Sequence, residues 1–251
     1  MESCRCEAIV LGVTDYRESD RLVTLFTGEL GRVKGVARGA KRSMRRFGGA
    51  LELFARIRAE LVSGEGLSRV LGADVVSVFP GIRRDLVKIA LAGYACELVE
   101  LLVPEALPQP RLFRLLTAYL EQLDREASSP SDRRFFEVNL ANILGYRPAL
   151  EECGSCGAPL ADCEHLFLGA PGSLLCERCR RGGRKLSAAT VQLLRRALAT
   201  GRFGAIRFSR QEAAEAGDFL DLLISAHLPR PLKSLAFLRE MEAIGGTSEE
   251  S

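Results

Sequence analysis

Leu51-Glu-Leu-Phe-Ala-Arg-Ile-Arg-Ala-Glu-Leu61 alternates. Leu51, Leu53, Ala55, Ile57, Ala59 and Leu61 fall on one side of an extended chain. Glu52, Arg56, Arg58 and Glu60 fall on the other, with Phe54 among them. A period of two belongs to a strand with one face in a core and the other in water. Working outward, Glu7–Val13, Arg21–Thr27, Gly31–Arg38 and Leu67–Val78 read as strands too, joined by glycine-rich connections. Five short strands suit a small barrel of the OB type. An open sandwich satisfies the same pattern.

Phe79-Pro80-Gly81 breaks the strand pattern, and helical periods follow. Arg84–Leu102 is one helix candidate, stopped by Pro104. Leu112, Leu115, Leu116, Tyr119, Leu120 and Leu123 share the face of another. Ser131–Leu144 starts with Ser131 or Asp132 as its cap and ends at Gly145. Ser187 caps a helix through Leu198. Ser209-Arg-Gln-Glu212 has capping-box spacing and opens a helix to about Ala226. Pro231–Ile244 is the last helix, with Pro231 in its first turn. The fold class expected is α+β and multidomain: a barrel over residues 1–80, helical segments over 81–148 and 185–244, a cysteine-rich module over 149–184 between them, and a disordered tail over 245–251.

The chain has 251 residues, 47% of them hydrophobic, and a formal net charge of only +3. Attraction to a polyanion must therefore come from a local patch. No apolar run approaches the ~20 residues of a membrane span. The N-terminus shows no basic leader ahead of an apolar region, which points to a cytoplasmic protein. In a reducing compartment, paired cysteines favour metal binding over disulfides.

Cys153-Gly-Ser-Cys156 and Cys176-Glu-Arg-Cys179 are separated by nineteen residues, Gly157–Leu175. Two such knuckles can bring four thiolates around one tetrahedral Zn²⁺. Four sulfurs leave no position for a reacting water, so the ion is expected to be structural, stabilising a segment poor in large apolar residues. Cys163 and His165 lie in the intervening loop as spare ligands. Cys4 and Cys6, two apart on a strand, are expected to share a face, and Cys96 to fill helix core.

Gly31–Gly49, GRVKGVARGAKRSMRRFGG, carries Arg32, Lys34, Arg38, Lys41, Arg42, Arg45 and Arg46, and no acid occurs between Glu29 and Glu52. On a strand, Arg32, Lys34 and Arg38 share a face above Val33, Gly35 and Ala37. Strand and loop together make a positive ribbon that Arg56 and Arg58 extend. A solvated loop is the bland alternative. The absence of acids favours nucleic-acid contact through phosphates, independent of base sequence and sensitive to salt. Base stacking has less to draw on: Phe47, Phe54 and Tyr16 are near, and there is no tryptophan.

Four blocks make the chain familiar. Ala8-Ile-Val-Leu11, Tyr16–Thr27 (YRESDRLVTLFT), Gly31–Ala40 (GRVKGVARGA) and Arg46–Leu51 (RFGGAL) resemble the N-terminal domain of the RecO family, bacterial recombination mediators. The cysteine quartet is similar to the zinc knuckles of many members, and Leu228–Leu238 resembles the family's closing helix. The resemblance implies an N-terminal OB-fold and an all-α C-terminal domain with an inserted zinc-binding module, and no enzymatic turnover. It implies binding of single- and double-stranded DNA and annealing of complementary strands. It further implies cooperation with RecR in loading RecA onto DNA coated with single-stranded DNA-binding protein, in the cytoplasm and on the nucleoid. DNA contact carries over most directly to Arg32, Lys34, Arg38, Arg42 and Arg46, with Lys41 and Arg45 following by proximity. Arg230 and Lys233 are candidates for meeting the acidic, apolar tail of the single-stranded DNA-binding protein.

Two histidines and no phosphate-binding glycine loop argue against a hydrolytic enzyme. A zinc-ribbon RNA-binding or transcription-associated protein shares the zinc and the basic run. Docking of an acidic protein on the basic run is a third possibility.

Overall fold

In the computed structural model, which describes residues 3–64, 66–180 and 182–246, the N-terminal strands close into a barrel. The strands are β1 (Ser3–Tyr16), β2 (Asp20–Thr27), β3 (Gly31–Ala37), β4 (Arg56–Val62) and β5 (Ser68–Ser77), in the order β1-β2-β3-β5-β4. Contact of β4 with β1 completes the circle, so the open sandwich is excluded. β1 is long enough to serve two neighbours. Ser3–Ile9 pairs with β4 and Ala8–Tyr16 with β2, with a register shift between Val10 and Gly12 that turns the strand. The parallel contact of β3 with β5 covers only Gly35–Ser68 and Val36–Arg69.

The barrel interior takes Ala8, Val10, Val23, Leu25, Ile57 and Ala59. Ile9 and Phe26 are cross-strand partners on the outer face, yet they are also buried. The reason lies in the helix Pro110–Arg125, whose Phe113 ring sits 6.0 Å from that of Phe26. One wall of the barrel is therefore apolar on both sides, and its alternation is lost in the sequence.

The alternation quoted at the outset holds from Arg56 onward only. Leu51–Ala55 is a turn, with Phe54 in the left-handed region at φ 70°. Its amide donates to the Val10 carbonyl at 2.9 Å; Phe54 is buried and Leu53 exposed. Cys4 and Cys6 stand opposite Leu61 and Ala59 on β4 and share a face, as expected; Cys6 is in the core and Cys4, near the strand end, is exposed.

Four helices continue this part of the chain: α1 (Met44–Phe47), α2 (Pro80–Arg83), α3 (Leu86–Leu102) and α4 (Pro110–Arg125). Asp85 caps α3 by accepting from the amides of Val87 and Lys88. Asp124 accepts from the amides of Gly81 and Ile82 and so holds α2. The chain forms two compact units: these elements, rejoined by residues from Leu232 on, make one, and Ala127–Pro231 makes the other.

The second unit holds α5 (Pro130–Ile143), a four-stranded sheet of β6 (Ala149–Cys153), β7 (His165–Leu168), β8 (Ser173–Leu175) and β9 (Lys185–Ser187), then α6 (Ala188–Ala199) and α7 (Arg210–Ser225). Ser187 and the Ser209/Glu212 capping box open α6 and α7 as expected. The cap of α5 is Ser129, not Ser131 or Asp132. Those two are buried and instead accept from the amides of Phe208 and Gly204. Deeper in α5, Glu137 is fully buried and receives both Arg133 Nε at 2.8 Å and Arg134 at 2.6 Å. Two guanidiniums offset the cost of burying one carboxylate.

The closing helix, α8 (Ser234–Gly246), belongs to the first unit and packs on α3. Its start is capped from outside its own sequence: Glu97 on α3 accepts from the Lys233 and Ser234 amides and the Ser234 hydroxyl. Pro231 therefore precedes the helix. The tail expected over 245–251 lies, from residue 247 on, outside the described residues.

Gly31 fixes where β3 begins. Its φ is +67°, and a Cβ there would stand 2.1 Å from the Leu107 carbonyl oxygen. Gly31→Ala is expected to cost at least about 2 kcal/mol in urea unfolding of the barrel, because both φ and space forbid it. Gly28→Ala, whose Cβ would find ordinary contacts at 3.6 Å, is the control and is expected to cost less than about 1 kcal/mol.

Candidate nucleic-acid interface and metal centre

The basic run lies where β3 leaves the barrel and passes through the short α1. Gly31, Gly35 and Ala37 face inward and Arg32, Lys34 and Val36 outward, as the strand pattern predicts. The charges, however, do not stand in an open row. Arg32 is only 16% exposed. Its Nε donates to the Val103 carbonyl at 3.0 Å, and its guanidinium lies 3.3 Å from Glu105. Lys34 meets the same carboxylate at 3.0 Å. The hydrogen bond from Lys34 is the main cause holding Glu105 below the usual carboxylate range, with burial opposing and the charges of Lys34 and Arg32 assisting. The segment after α3 thus uses Arg32 and Lys34 as anchors. Sequence proximity gave no sign of it, because Glu105 is some seventy residues away.

Two further cations are paired across the β1–β2 hairpin. Lys41 lies 3.0 Å from Asp15 and Arg42 2.6 Å from Glu18. The Arg42 pair is largely exposed on both sides, so it is worth at most about 1 kcal/mol. Arg46 folds back: its Nε donates to the Ser43 hydroxyl at 3.1 Å and its terminal nitrogen to the Arg38 carbonyl at 2.8 Å. It remains exposed and carries no ion pair among the described residues, and the same holds for Arg38 and Arg45. Arg56 does not extend the ribbon. It is held by Glu7 at 2.6 Å and Glu121 at 3.3 Å. Arg58 is exposed on β4.

The loop is held to the hairpin through backbone. Asp20 accepts from the Gly39 amide at 2.8 Å, and the Lys41 amide donates to the Ser19 carbonyl at 3.1 Å. Gly39 has φ +66°, which lets the chain leave β3 in that direction. The Gly39 amide is the chief cause depressing the Asp20 carboxyl. Burial opposes it, and the Ser19 hydroxyl, Arg17 and Arg38 assist. A depressed carboxylate stabilises the fold above its unfolded pKa and loses that contribution as pH falls through the folded value. At neutral pH the link is intact.

The metal centre is built on β6 and β8. Cys153 ends β6, Cys176 follows β8, and the two strands pair in parallel, bringing the knuckles together. The sulfurs of Cys153, Cys156, Cys176 and Cys179 all lie within 4.8 Å of one another. The Cys156 and Cys176 sulfurs are 3.9 Å apart, close to the ~3.8 Å edge of a tetrahedron with metal–sulfur bonds of about 2.3 Å. Burial pushes the Cys153 thiol up, but amides of Cys176, Cys156 and Ser155 outweigh it and bring the thiol down to about 6. Cys176 is lowered chiefly by the Cys179 amide. Cys179 is pushed up to about 12 by sharing protons with Cys156 and Cys176. Thiolate-stabilising amides aimed into a sulfur cluster fit a thiophilic cation, so the four cysteines can hold a metal ion. Cys163 and His165 do not join the cluster.

The remaining candidates, Arg230 and Lys233, lie just ahead of α8 in sequence. Lys233 is exposed and gives its amide to Glu97, while the Arg230 guanidinium donates to the Pro231 carbonyl. An open cavity of about 550 Å³ in the second unit is lined by residues including Arg147, Pro148, Leu150, Arg195 and Leu198, and by neither Arg230 nor Lys233. His227 stacks on Tyr146 with ring centroids 3.6 Å apart.

Barrel, basic loop and cysteine centre together describe an OB-type barrel protein with a second unit whose four cysteines can hold a metal ion. Comparison with known proteins gives the family. The family model Recombination protein O N terminal matches residues 1–79, and Recombination protein O C terminal matches residues 83–236. The chain is 59% identical over 242 residues to the DNA repair protein RecO of Geobacter metallireducens, covering 96% of this chain and 99% of that one. It is 58% identical over 241 residues to the protein of the same name from Geobacter sulfurreducens, with the same coverage. To that of Pelobacter propionicus it is 48% identical over 238 residues, 94% and 96% covered. The chain belongs to the RecO family. No helix among the described residues is long and apolar enough to cross a membrane.

Replacing Cys156 and Cys179 by serine removes half the ligands. Elemental analysis is expected to find about one equivalent of metal on the unaltered chain and none on the variant. Limited proteolysis of the variant is expected to cut faster between Cys153 and Cys179, with the barrel unaffected.

Proposed function

We propose that this chain is a DNA repair and recombination mediator that holds sugar–phosphate backbones on the basic loop of its barrel. The observation that carries the reading is the loop itself. Arg38, Arg45 and Arg46 are exposed, free of ion pairs among the described residues, and presented on one short segment anchored to the hairpin by Asp20. Lys41 and Arg42 join them by exchanging exposed carboxylate partners for phosphates. Arg32 and Lys34, anchored at Glu105, contribute to the field and act first as structural residues.

Family membership supports the finer reading. The protein binds single- and double-stranded DNA, anneals complementary strands, and works with RecR to load RecA onto DNA coated with single-stranded DNA-binding protein. Annealing needs two mutually repelling backbones near one cationic surface, while base pairing supplies the selection. No chemical turnover is required. Zn²⁺ fits the four-cysteine centre in a structural role, as the ion that holds the module over residues 149–184 together. Arg230 and Lys233, just ahead of α8, are offered to the acidic tail of the single-stranded DNA-binding protein. The protein works in the cytoplasm, on the nucleoid.

The division of the cations is testable. For single-stranded DNA, log K against log salt is expected to slope between about −2, for three phosphates, and about −3.5, for five. Arg38→Ala with Arg45→Ala is expected to reduce the slope by about 1.4, whereas Lys34→Ala leaves it unchanged. Equal slopes for the double variant and the unaltered protein would rule the loop out as the phosphate contact. Binding that demands 2′-hydroxyls would favour an RNA reader instead.

A further inference from the structure

Phosphate contacts do not by themselves distinguish a single strand from a duplex. A site that prefers single strands adds an aromatic ring on which an unpaired base can stack. The two phenylalanines nearest the basic run do not serve. Phe47 and Phe54 are both buried. Tyr16 is different. It is the last residue of β1, opposite Asp20 in the hairpin, and it is 38% exposed.

The residue after it is held in an unusual conformation. Arg17 has φ +54°, in the left-handed region that a non-glycine residue enters at a cost. There its guanidinium carbon lies over the Tyr16 ring, 5.1 Å from the centroid. A cation against an aromatic face fixes the ring and adds a positive charge beside it. The hairpin tip is also joined to the basic loop. Lys41 and Arg42 reach Asp15 and Glu18, the Lys41 amide reaches the Ser19 carbonyl, and the Gly39 amide reaches Asp20. Tyr16 and the loop arginines therefore ride on one assembly.

We propose that Tyr16, backed by Arg17, is the base-stacking element of this site: it takes an unpaired nucleobase and gives the protein a preference for single strands over duplex. The proposal rests on the reading of the basic loop as the phosphate contact and extends it to the bases. In a duplex both faces of each base are already stacked, so Tyr16 adds nothing there. On a single strand it adds roughly 5- to 100-fold in affinity.

The chain has no tryptophan, so Tyr16→Trp places the only indole at the hairpin tip. The full-length variant is titrated with oligothymidylate, with an abasic oligomer of equal length, and with duplex, following indole emission and the anisotropy of end-labelled DNA. Oligothymidylate is expected to quench the indole; the abasic oligomer and the duplex are expected to bind without quenching it. Tyr16→Ala is expected to lose roughly 5- to 100-fold for oligothymidylate only, and Tyr16→Phe to keep the affinity of the unaltered protein. If Tyr16→Ala binds oligothymidylate as the unaltered protein does, while all three ligands still bind through the loop, the stacking role alone is overturned. If the unaltered protein binds none of the three, the phosphate reading falls and takes this proposal with it.

Discussion

One carboxylate organises the surface on which the account turns. Asp20 opens β2 and accepts the amide of Gly39, the residue at which the chain leaves β3. The glycine-rich segment that follows bears four cations, Lys41, Arg42, Arg45 and Arg46, and has every electrostatic reason to spread into solvent. The Asp20–Gly39 bond, with the Lys41–Ser19 backbone bond beside it, folds it against the β1–β2 hairpin instead. The short α1 and the burial of Phe47 finish the job, so the loop's side chains project from a defined backbone.

From that constraint follows a division of labour among like charges. Arg32 and Lys34 sit on the strand and are drawn to Glu105, where they fasten the segment after α3 to the barrel. Lys41 and Arg42 face the hairpin's acids. Arg38, Arg45 and Arg46 make no ion pair among the described residues. A mixed arrangement of this kind keeps the loop in place without ligand and still offers charge to one. The exposed pairs contribute little to stability, so a phosphate can replace a carboxylate at small cost.

How much of this could be read from the sequence depended on the range of each interaction. The barrel was legible where one face meets water, as in Arg56–Leu61. It was illegible where helix α4 buries the second face over Ile9 and Phe26, and at Leu51–Ala55, where a turn mimics the strand period. The cysteine quartet was legible because ligand spacing is local and chemically narrow. The caps of α6 and α7 were legible for the same reason. The cap of α8 was not, since it comes from Glu97 on another helix. The basic run was visible as a run, but its partners Asp15, Glu18 and Glu105 are neighbours only in space. An acid-free stretch of sequence is thus no measure of free charge. Tyr16 carried no signal beyond its type, and its value emerged only when Phe47 and Phe54 proved to be core.

The most direct test follows amide hydrogen exchange along the whole chain, with and without a saturating single-stranded oligonucleotide. The account predicts that added protection concentrates on Gly39–Phe47 and on the hairpin tip around Tyr16–Asp20, the two segments that the Asp20 carboxylate joins. Protection appearing elsewhere, with those two segments exchanging at the same rate in both states, would contradict it.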